Sequence, residues 1–153
     1  MTTPTRHRAE LDAQRLRSAG LRVTAPRLAV LEAVRTGDHL AVEGVAAAAR
    51  DRIGSISTQA IYDVLGALVR VGLVRRIQPA GGPARFETRV ADNHHHIICR
   101  RCGVAVDVDC VVSAPCLQPA DPAGFVIDEA EVVFWGVCAS CQAAGDDDGE
   151  ERE

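Results

Sequence analysis

The apolar positions in the first half of the chain recur at the spacing of amphipathic helices. The clearest pattern follows Ser57, a suitable N-cap, where apolar side chains fall at i, i+3, i+4, i+7 and i+8 and would bury one stripe. These side chains are Ile61, Val64, Leu65, Leu68 and Val69. Weaker patterns predict three further helices: one over 9–19, one that begins after the N-cap candidate Thr24, and one over 41–52. The first half is therefore predicted to be mainly helical.

Two short segments after these helices have the composition of β-strands. Residues 73–78 and 84–87 flank a turn at 79–83 that contains two prolines and two glycines. Helices followed by a β-hairpin are the order of a winged helix-turn-helix, in which the last helix enters the major groove of DNA and arginines contact phosphates. The outward face of that helix carries Gln59 and Tyr62, the only tyrosine in the chain. An ordinary solvated face is the alternative.

The second half of the chain has a different pattern, rich in Val, Ile and aromatic residues. Strands are predicted over 94–98, 104–108 and 126–137, whereas prolines in the segment 111–123 leave room for a short helix at most. From residue 142 the chain becomes an acidic tail with little that can pack. The predicted fold is α+β, in three parts: a winged helix-turn-helix domain over 1–90, a small β-rich (α/β) domain over 93–141, and a disordered acidic tail over 142–153.

Charge divides the chain at nearly the same place. Residues 1–92 carry 14 Arg against nine acidic residues, and residues 93–153 carry three Arg against twelve, within a net charge of −4. A basic first half joined to an acidic second half is typical of a nucleic-acid-binding module with a regulatory module, although chance segregation is the alternative. No run of 18 apolar residues is present and no export signal opens the chain, so the sequence predicts a cytoplasmic protein without a membrane span.

Two Cys-x-x-Cys pairs bracket the last third of the chain: Cys99 with Cys102, and Cys138 with Cys141. Four thiolates in two such pairs are what a structural zinc needs, because each pair supplies one edge of a tetrahedron. Disulfides are the alternative for six cysteines, but a chain without an export signal is better explained by a reducing cytoplasm. Cys110 and Cys116 lie outside the pairs and are interpreted either as two small buried thiols or as a redox pair.

Histidines are concentrated beside the first cysteine pair, where His94, His95 and His96 are consecutive. Neutral imidazole with carboxylates suits iron, manganese or zinc, which indicates a second site that differs chemically from the four thiolates. Two enzyme classes fit less well. A thiol-disulfide oxidoreductase would use one Cys-x-x-Cys after a strand in a βαβ pattern, and a zinc deaminase would need His-x-Glu before Pro-Cys-x-x-Cys. The chain is interpreted as a metal-sensing protein.

In this order, the motifs resemble those of the ferric uptake regulator (Fur) family of bacterial metal-dependent repressors. The resemblance runs from about Leu16 to Cys141, nearly the whole folded chain. The segments that carry it are Arg22–Arg27, Ser57–Leu65, Gly72–Val74, Arg85–Glu87, His94–Gly103 and Gly136–Cys141. Each segment alone is weak evidence, but their order is highly specific.

The resemblance implies a winged-helix DNA-binding domain, a β-rich dimerisation domain and a homodimer that binds palindromic, A/T-rich operators in double-stranded DNA. Matched by position, a structural Zn²⁺ would be held by Cys99, Cys102, Cys138 and Cys141. A regulatory Fe²⁺ or Mn²⁺ would be held by His39, Glu87, His94, His96 and Asp107. DNA contacts would come from Arg22 in the minor groove and, on the fourth helix and its cap, from Ser57, Thr58, Gln59, Tyr62 and Asp63.

The chemistry of these residues agrees with that assignment. His94 and His96 alternate on a predicted strand and project from one face, whereas His95 points away. His39 lies in the DNA-binding half, so an ion that it shares with the second half would favour one DNA-competent arrangement of the domains. Relatives with a further metal site have a histidine where this chain has Ala130, so that site is expected to be absent or weak.

The family contains iron, zinc, manganese and peroxide sensors, and the resemblance leans towards peroxide. The carboxylate five residues after Cys102 is Asp107, as is typical of peroxide sensors, whereas iron sensors tend to have Glu. The stretch 128–131 and the histidine run resemble the regulators of catalase-peroxidase genes. The chain is thus interpreted as a ferrous-iron-loaded, peroxide-responsive repressor that releases DNA when a ligand histidine is oxidised. An iron-responsive repressor of iron uptake genes is the alternative, with a zinc uptake regulator less favoured.

Overall fold

The computed structural model describes residues 4–90, 92, 94–109, 119–127 and 130–145. The chain divides between Val90 and Ala91 into two compact units, called here the first and the second unit. No helix among the described residues is long and apolar enough to cross a membrane. Cys110 and Cys116, and most of the segment 111–123 in which prolines were expected to limit helix formation, lie outside the described residues.

The first unit contains four helices and a small sheet. Its elements, in chain order, are α1 (Pro4–Ser18), α2 (Ala25–Thr36), β1 (Leu40–Ala41), α3 (Val42–Ile53), α4 (Thr58–Arg70), β2 (Arg75–Ile77) and β3 (Arg85–Glu87). Both predicted N-caps are present, because the Thr24 hydroxyl accepts from the Arg27 backbone N–H at 3.4 Å and the Ser57 hydroxyl accepts from that of Ala60 at 3.1 Å. The first helix begins at Pro4, earlier than the predicted start at residue 9.

The core of the first unit lies among its helices. The predicted apolar stripe of α4 is buried at Ile61, Leu65 and Leu68, and it packs in one cluster with apolar residues of the other helices. Full burial of each such side chain contributes about 1.5–3 kcal/mol relative to exposure. The opposite face of α4 stays in solvent, and this packing thus fixes which side of the helix is available for recognition.

The sheet of the first unit has the strand order β1-β3-β2, with both pairs antiparallel. The strand predicted over 73–78 is shorter in the structure because the Leu73 backbone N–H is used to close the end of α4, donating to Leu68 O at 3.0 Å. Strand β1 was not predicted, since two residues are too few to show an alternating pattern. Its pairing brings the segment that follows His39 alongside β3, which carries Glu87 at its end.

The described residues of the second unit form three strands and a short helix: β4 (His94–Cys99), β5 (Ala105–Asp109), β6 (Val133–Gly136) and α5 (Ala139–Gly145). Strand β4 is central, antiparallel to β5 and parallel to β6. The predicted strand over 126–137 was too long, because among the described residues of that range only Val133–Gly136 forms a strand, which pairs with β4. The acidic tail was predicted to begin at residue 142, but residues 142–145 belong to α5; residues 146–153 lie outside the described part.

Candidate metal centres and nucleic-acid interface

The four paired cysteines converge at one end of the sheet in the second unit. Parallel pairing sets Cys99 beside Gly136, so the chain beyond each strand supplies one Cys-x-x-Cys pair to the same place. All four Sγ atoms lie within 4.8 Å of one another, and those of Cys102 and Cys138 are 3.7 Å apart. A tetrahedral zinc with Zn–S bonds of about 2.3 Å requires S···S edges of about 3.8 Å. The four cysteines therefore fit a structural zinc.

The protonation of these thiols also fits a metal site. Backbone N–H groups, first that of Cys102 and then that of Cys138, lower the pKa of Cys99 to about 6. Hydrogen bonds between the Cys141 thiol and the sulfurs of Cys138 and Cys102 raise the pKa of Cys141 to about 12. Four sulfurs this close cannot all ionise without a compensating cation, and a bound Zn²⁺ supplies that compensation by displacing the remaining protons.

A second group of donors lies at the start of the same central strand. His94 and His96 are buried on one face of β4, with ring centroids 4.9 Å apart. Their Nε2 atoms approach the same carboxylate oxygen, Asp107 Oδ1 on β5, at 3.8 and 3.5 Å respectively. His95 lies on the other face and packs edge-on against Phe134 at 6.4 Å, as strand alternation predicts. Two imidazoles and one carboxylate form a donor set suited to a divalent transition metal.

Within the first unit, His39 and Glu87 form a buried pair. His39 Nε2 is 3.0 Å from Glu87 Oε2, and Arg75 Nε lies 3.8 Å from the other oxygen of Glu87. His39 has a φ of 52°, in the left-handed region that non-glycine residues rarely adopt. Its carbonyl accepts a hydrogen bond from Arg85 Nη1 at 3.1 Å, which helps to hold this backbone conformation. Within the first unit, therefore, two of the five predicted regulatory ligands, His39 and Glu87, are in contact.

Two carboxylates beside these histidines were not predicted from the sequence. Asp92 Oδ1 lies 2.7 Å from His94 Nδ1, and Asp38 Oδ1 lies 3.0 Å from His39 Nδ1. The sequence signal is an aspartate one or two residues before a candidate ligand histidine. It was missed because short spacing alone does not tell whether two adjacent side chains meet.

The predicted DNA-binding residues are placed along the exposed face of α4 and near the start of α2. Tyr62 is 50% exposed, which supports its outward placement. Gln59 Nε2 donates to Asp63 Oδ1 at 2.9 Å, and these two side chains therefore form one polar unit on the surface. Thr58 accepts from Arg50 at 3.2 Å. Ser57 is used as the helix cap, and the carbonyl of Arg22 accepts from the Arg27 guanidinium at 2.8 Å.

Comparison with known proteins agrees with this architecture. A family model described as the ferric uptake regulator family matches residues 18–132. The chain belongs to the ferric uptake regulator family. It is therefore a transcription regulator and not an enzyme, as predicted, and the oxidoreductase and deaminase alternatives are excluded. The match ends before the second cysteine pair, whose part in a zinc site is supported by the sulfur geometry.

Individual relatives are similar over most of their length. The transcriptional regulator FurA of Mycobacterium tuberculosis is 57% identical over 130 residues, covering 84% of this chain and 88% of that protein. The ferric uptake regulation protein 1 of Mycolicibacterium fortuitum is 59% identical over 121 residues, covering 78% and 75%. Among solved structures, the ferric uptake regulator of Pseudomonas aeruginosa with manganese has a TM-score of 0.62 at 25% identity, covering 84% of this chain and 98% of that one.

Proposed function

We propose that the protein is a homodimeric, metal-dependent repressor that binds palindromic, A/T-rich operators and is released from them by peroxide. The observation that carries this proposal is the set formed by the buried His94 and His96 with the half-buried Asp107, on the strand pair that also carries Cys99. Such a set offers donors for a regulatory ion beside a separate structural zinc, which is the arrangement that a metal sensor needs.

In this proposal one regulatory ion is bound by donors from both units. His39 and Glu87 would add one imidazole and one carboxylate to the two imidazoles and the carboxylate of the second unit. Five nitrogen and oxygen donors exceed the four that zinc usually takes and suit Fe²⁺ or Mn²⁺. An ion that needs ligands from both units stabilises only the arrangement in which both are available, so metal binding shifts the population towards the form that binds DNA.

The peroxide response would arise at the ligand histidines. When bound, ferrous iron supplies the ability to react with peroxide. His94 and His96 are buried, so oxidation of either ring would be confined to a site from which bulk water is excluded. A ring that gains oxygen no longer presents the same nitrogen donor, and the two units would lose their shared ligand set. The carboxylate at position 107 is an Asp, whereas typical iron sensors have the longer Glu, and this supports a peroxide sensor over an iron sensor.

The DNA contacts are proposed to come mainly from α4. Tyr62 and the Gln59–Asp63 pair would face base edges in the major groove, where Asp63 can accept a hydrogen bond from cytosine N4. Arg22 would reach the minor groove. The arginines of the first unit would contact phosphates, which makes binding dependent on salt.

The decisive experiment compares two metal forms of the same protein. An operator is first selected from random DNA with the Mn²⁺-loaded protein, and binding is then measured before and after brief exposure to hydrogen peroxide without air. The Fe²⁺ form is expected to lose operator binding after peroxide exposure. The Mn²⁺ form should keep it, because Mn²⁺ does not readily promote this oxidation. Peptide mass spectrometry should find added oxygen on His39, His94 or His96. His95, on the other face of β4, is the internal control.

The alternative function is an iron-responsive repressor of iron uptake genes, which the names of several relatives favour, among them the ferric uptake regulation protein 1 of Mycolicibacterium fortuitum. It predicts that the Fe²⁺ form keeps the operator after peroxide exposure and loses it only when the iron is chelated. Equal responses of the two metal forms, or oxygen found solely on cysteines, would exclude oxidation of the histidine ligands.

A further inference from the structure

The side chain of Asp92 makes a short contact with His94, one of the proposed regulatory ligands. Asp92 Oδ1 lies 2.7 Å from His94 Nδ1, and the two residues belong to the same unit. The His94 side chain is fully buried, whereas that of Asp92 is 38% exposed. A buried imidazole held at this distance by a carboxylate has one ring orientation strongly favoured over the others.

This contact determines which nitrogen of His94 can bind a metal. An ionised carboxylate only accepts hydrogen bonds, so Nδ1 must carry the proton when it lies 2.7 Å from Asp92. Neutral imidazole carries one proton, which leaves the lone pair on Nε2. Nε2 is the atom that points towards Asp107 Oδ1, which His96 Nε2 also approaches. The proton position and the direction of the ring therefore agree.

We infer that Asp92 is a positioning residue for the regulatory metal: it fixes His94 in the Nδ1–H tautomer and aims Nε2 at the site. This inference rests on the proposed function, because it assumes that His94 is a ligand. Asp92 is the second residue of the second unit, so the carboxylate comes from the same unit as His94. Asp38 makes the corresponding contact with His39 in the first unit, but its side chain is 79% exposed, and competition from water weakens its hold.

The tautomer can be measured without any regulatory metal. Nitrogen-15 NMR of the imidazole rings at pH 8, on the zinc-loaded protein, should show His94 as the Nδ1–H form. Asp92→Ala should shift this ring towards the Nε2–H form, and Asp92→Asn, which keeps an acceptor oxygen, should shift it less. Asp121→Ala is the matched control, since that carboxylate accepts from the Ala123 backbone N–H instead. A His94 ring that is Nε2–H in the unmodified protein overturns the inference.

Metal affinity provides the second readout. Competition titration with Mn²⁺ should give binding about 10–100-fold weaker for Asp92→Ala, an intermediate loss for Asp92→Asn, and a smaller loss for Asp38→Asn. Zinc content and thermal unfolding should match the unmodified protein in every variant, which excludes a general loss of structure. Unchanged Mn²⁺ affinity in Asp92→Ala overturns the inference. If the unmodified protein binds no Mn²⁺, the proposed function fails, and the NMR result still decides whether Asp92 orients His94.

Discussion

At the scale of single residues, His39 combines an unusual backbone conformation with a buried imidazole that is proposed to bind a metal. A φ of 52° in a histidine costs of order 1–3 kcal/mol, and it persists here because Arg85 holds the carbonyl while Asp38 and Glu87 hold the ring. Strain of this kind is concentrated at functional sites, where it presents a side chain that relaxed backbone would direct elsewhere. The proposed ligand His39 is therefore already held in place by contacts within the protein.

Replacing His39 with asparagine tests its proposed part in the response. Asparagine tolerates the left-handed region, so His39→Asn should fold and keep its zinc. It should also reduce the coupling between metal binding and operator affinity from about 1–3 kcal/mol towards zero. Operator binding titrated with and without Mn²⁺ measures this coupling. His7→Asn, an exposed histidine on α1, is the control, and a variant that keeps full coupling would remove His39 from the ligand set.

The thiol pKa values predict the proton balance of zinc binding. Cys141, with its pKa raised to about 12, is protonated at pH 7, whereas Cys99, lowered to about 6, is mainly thiolate. Zinc loading at pH 7 should therefore release at least one proton per ion, and the release from Cys99 should increase as the pH falls through about 6. Calorimetry in two buffers with different ionisation enthalpies measures the number. Loading without proton release would contradict the assignment.

At the scale of elements, one face of α4 packs in the core and stabilises the fold, whereas the other is exposed and carries the residues proposed to contact DNA. Its buried stripe anchors it in the core, and its exposed face carries Tyr62 and Gln59 with no part in that packing. A change on the exposed face can therefore alter DNA binding while the fold stays intact.

Tyr62→Ala should weaken operator binding by about 1–3 kcal/mol if the side chain contacts bases, since truncation removes those contacts and leaves the packing of the core unchanged. Zinc content and melting temperature should not change. Leu11→Ala on α1 is the control, because Leu11 is exposed to a similar degree. Equal operator affinity for Tyr62→Ala and the unmodified protein, at fixed salt, would argue against α4 as the recognition helix.

The elements also show what the sequence can predict. The helix starts at Thr24 and Ser57 were predictable because capping is a local interaction between a side chain and the next turn. Helix α5 was not, since Ala139–Gly145 has no apolar period; it begins directly after Cys138 and contains Cys141. The His94–His96 alternation predicted a shared face, but the contact with Asp92 depends on side-chain directions that spacing does not specify.

At the scale of the whole molecule, the zinc site stabilises the unit that is proposed to form the dimer. Strand β4 carries Cys99 at one end and His94 at the other, so the structural zinc ligands and the proposed regulatory ligands share one element.

Cys99→Ser should abolish both zinc retention and dimerisation, because structural zinc supplies binding free energy on the order of 10 kcal/mol to a small domain. Metal analysis and analytical ultracentrifugation test this, with Ser140→Ala, between the second pair, as the control. A zinc-loaded dimer of Cys99→Ser would exclude the four-cysteine assignment.

The parallel pairing of β4 with β6 has a consequence for how the protein is made. On the ribosome, β4 can pair with β5 soon after both emerge, but its other edge stays open until Val133–Gly136 has been translated. The four sulfurs come together only when Cys141 follows. Binding of zinc by all four cysteines therefore has to wait until Cys141 has been translated, and a chain interrupted before Cys138 lacks half of the zinc ligands even though its first unit is already complete.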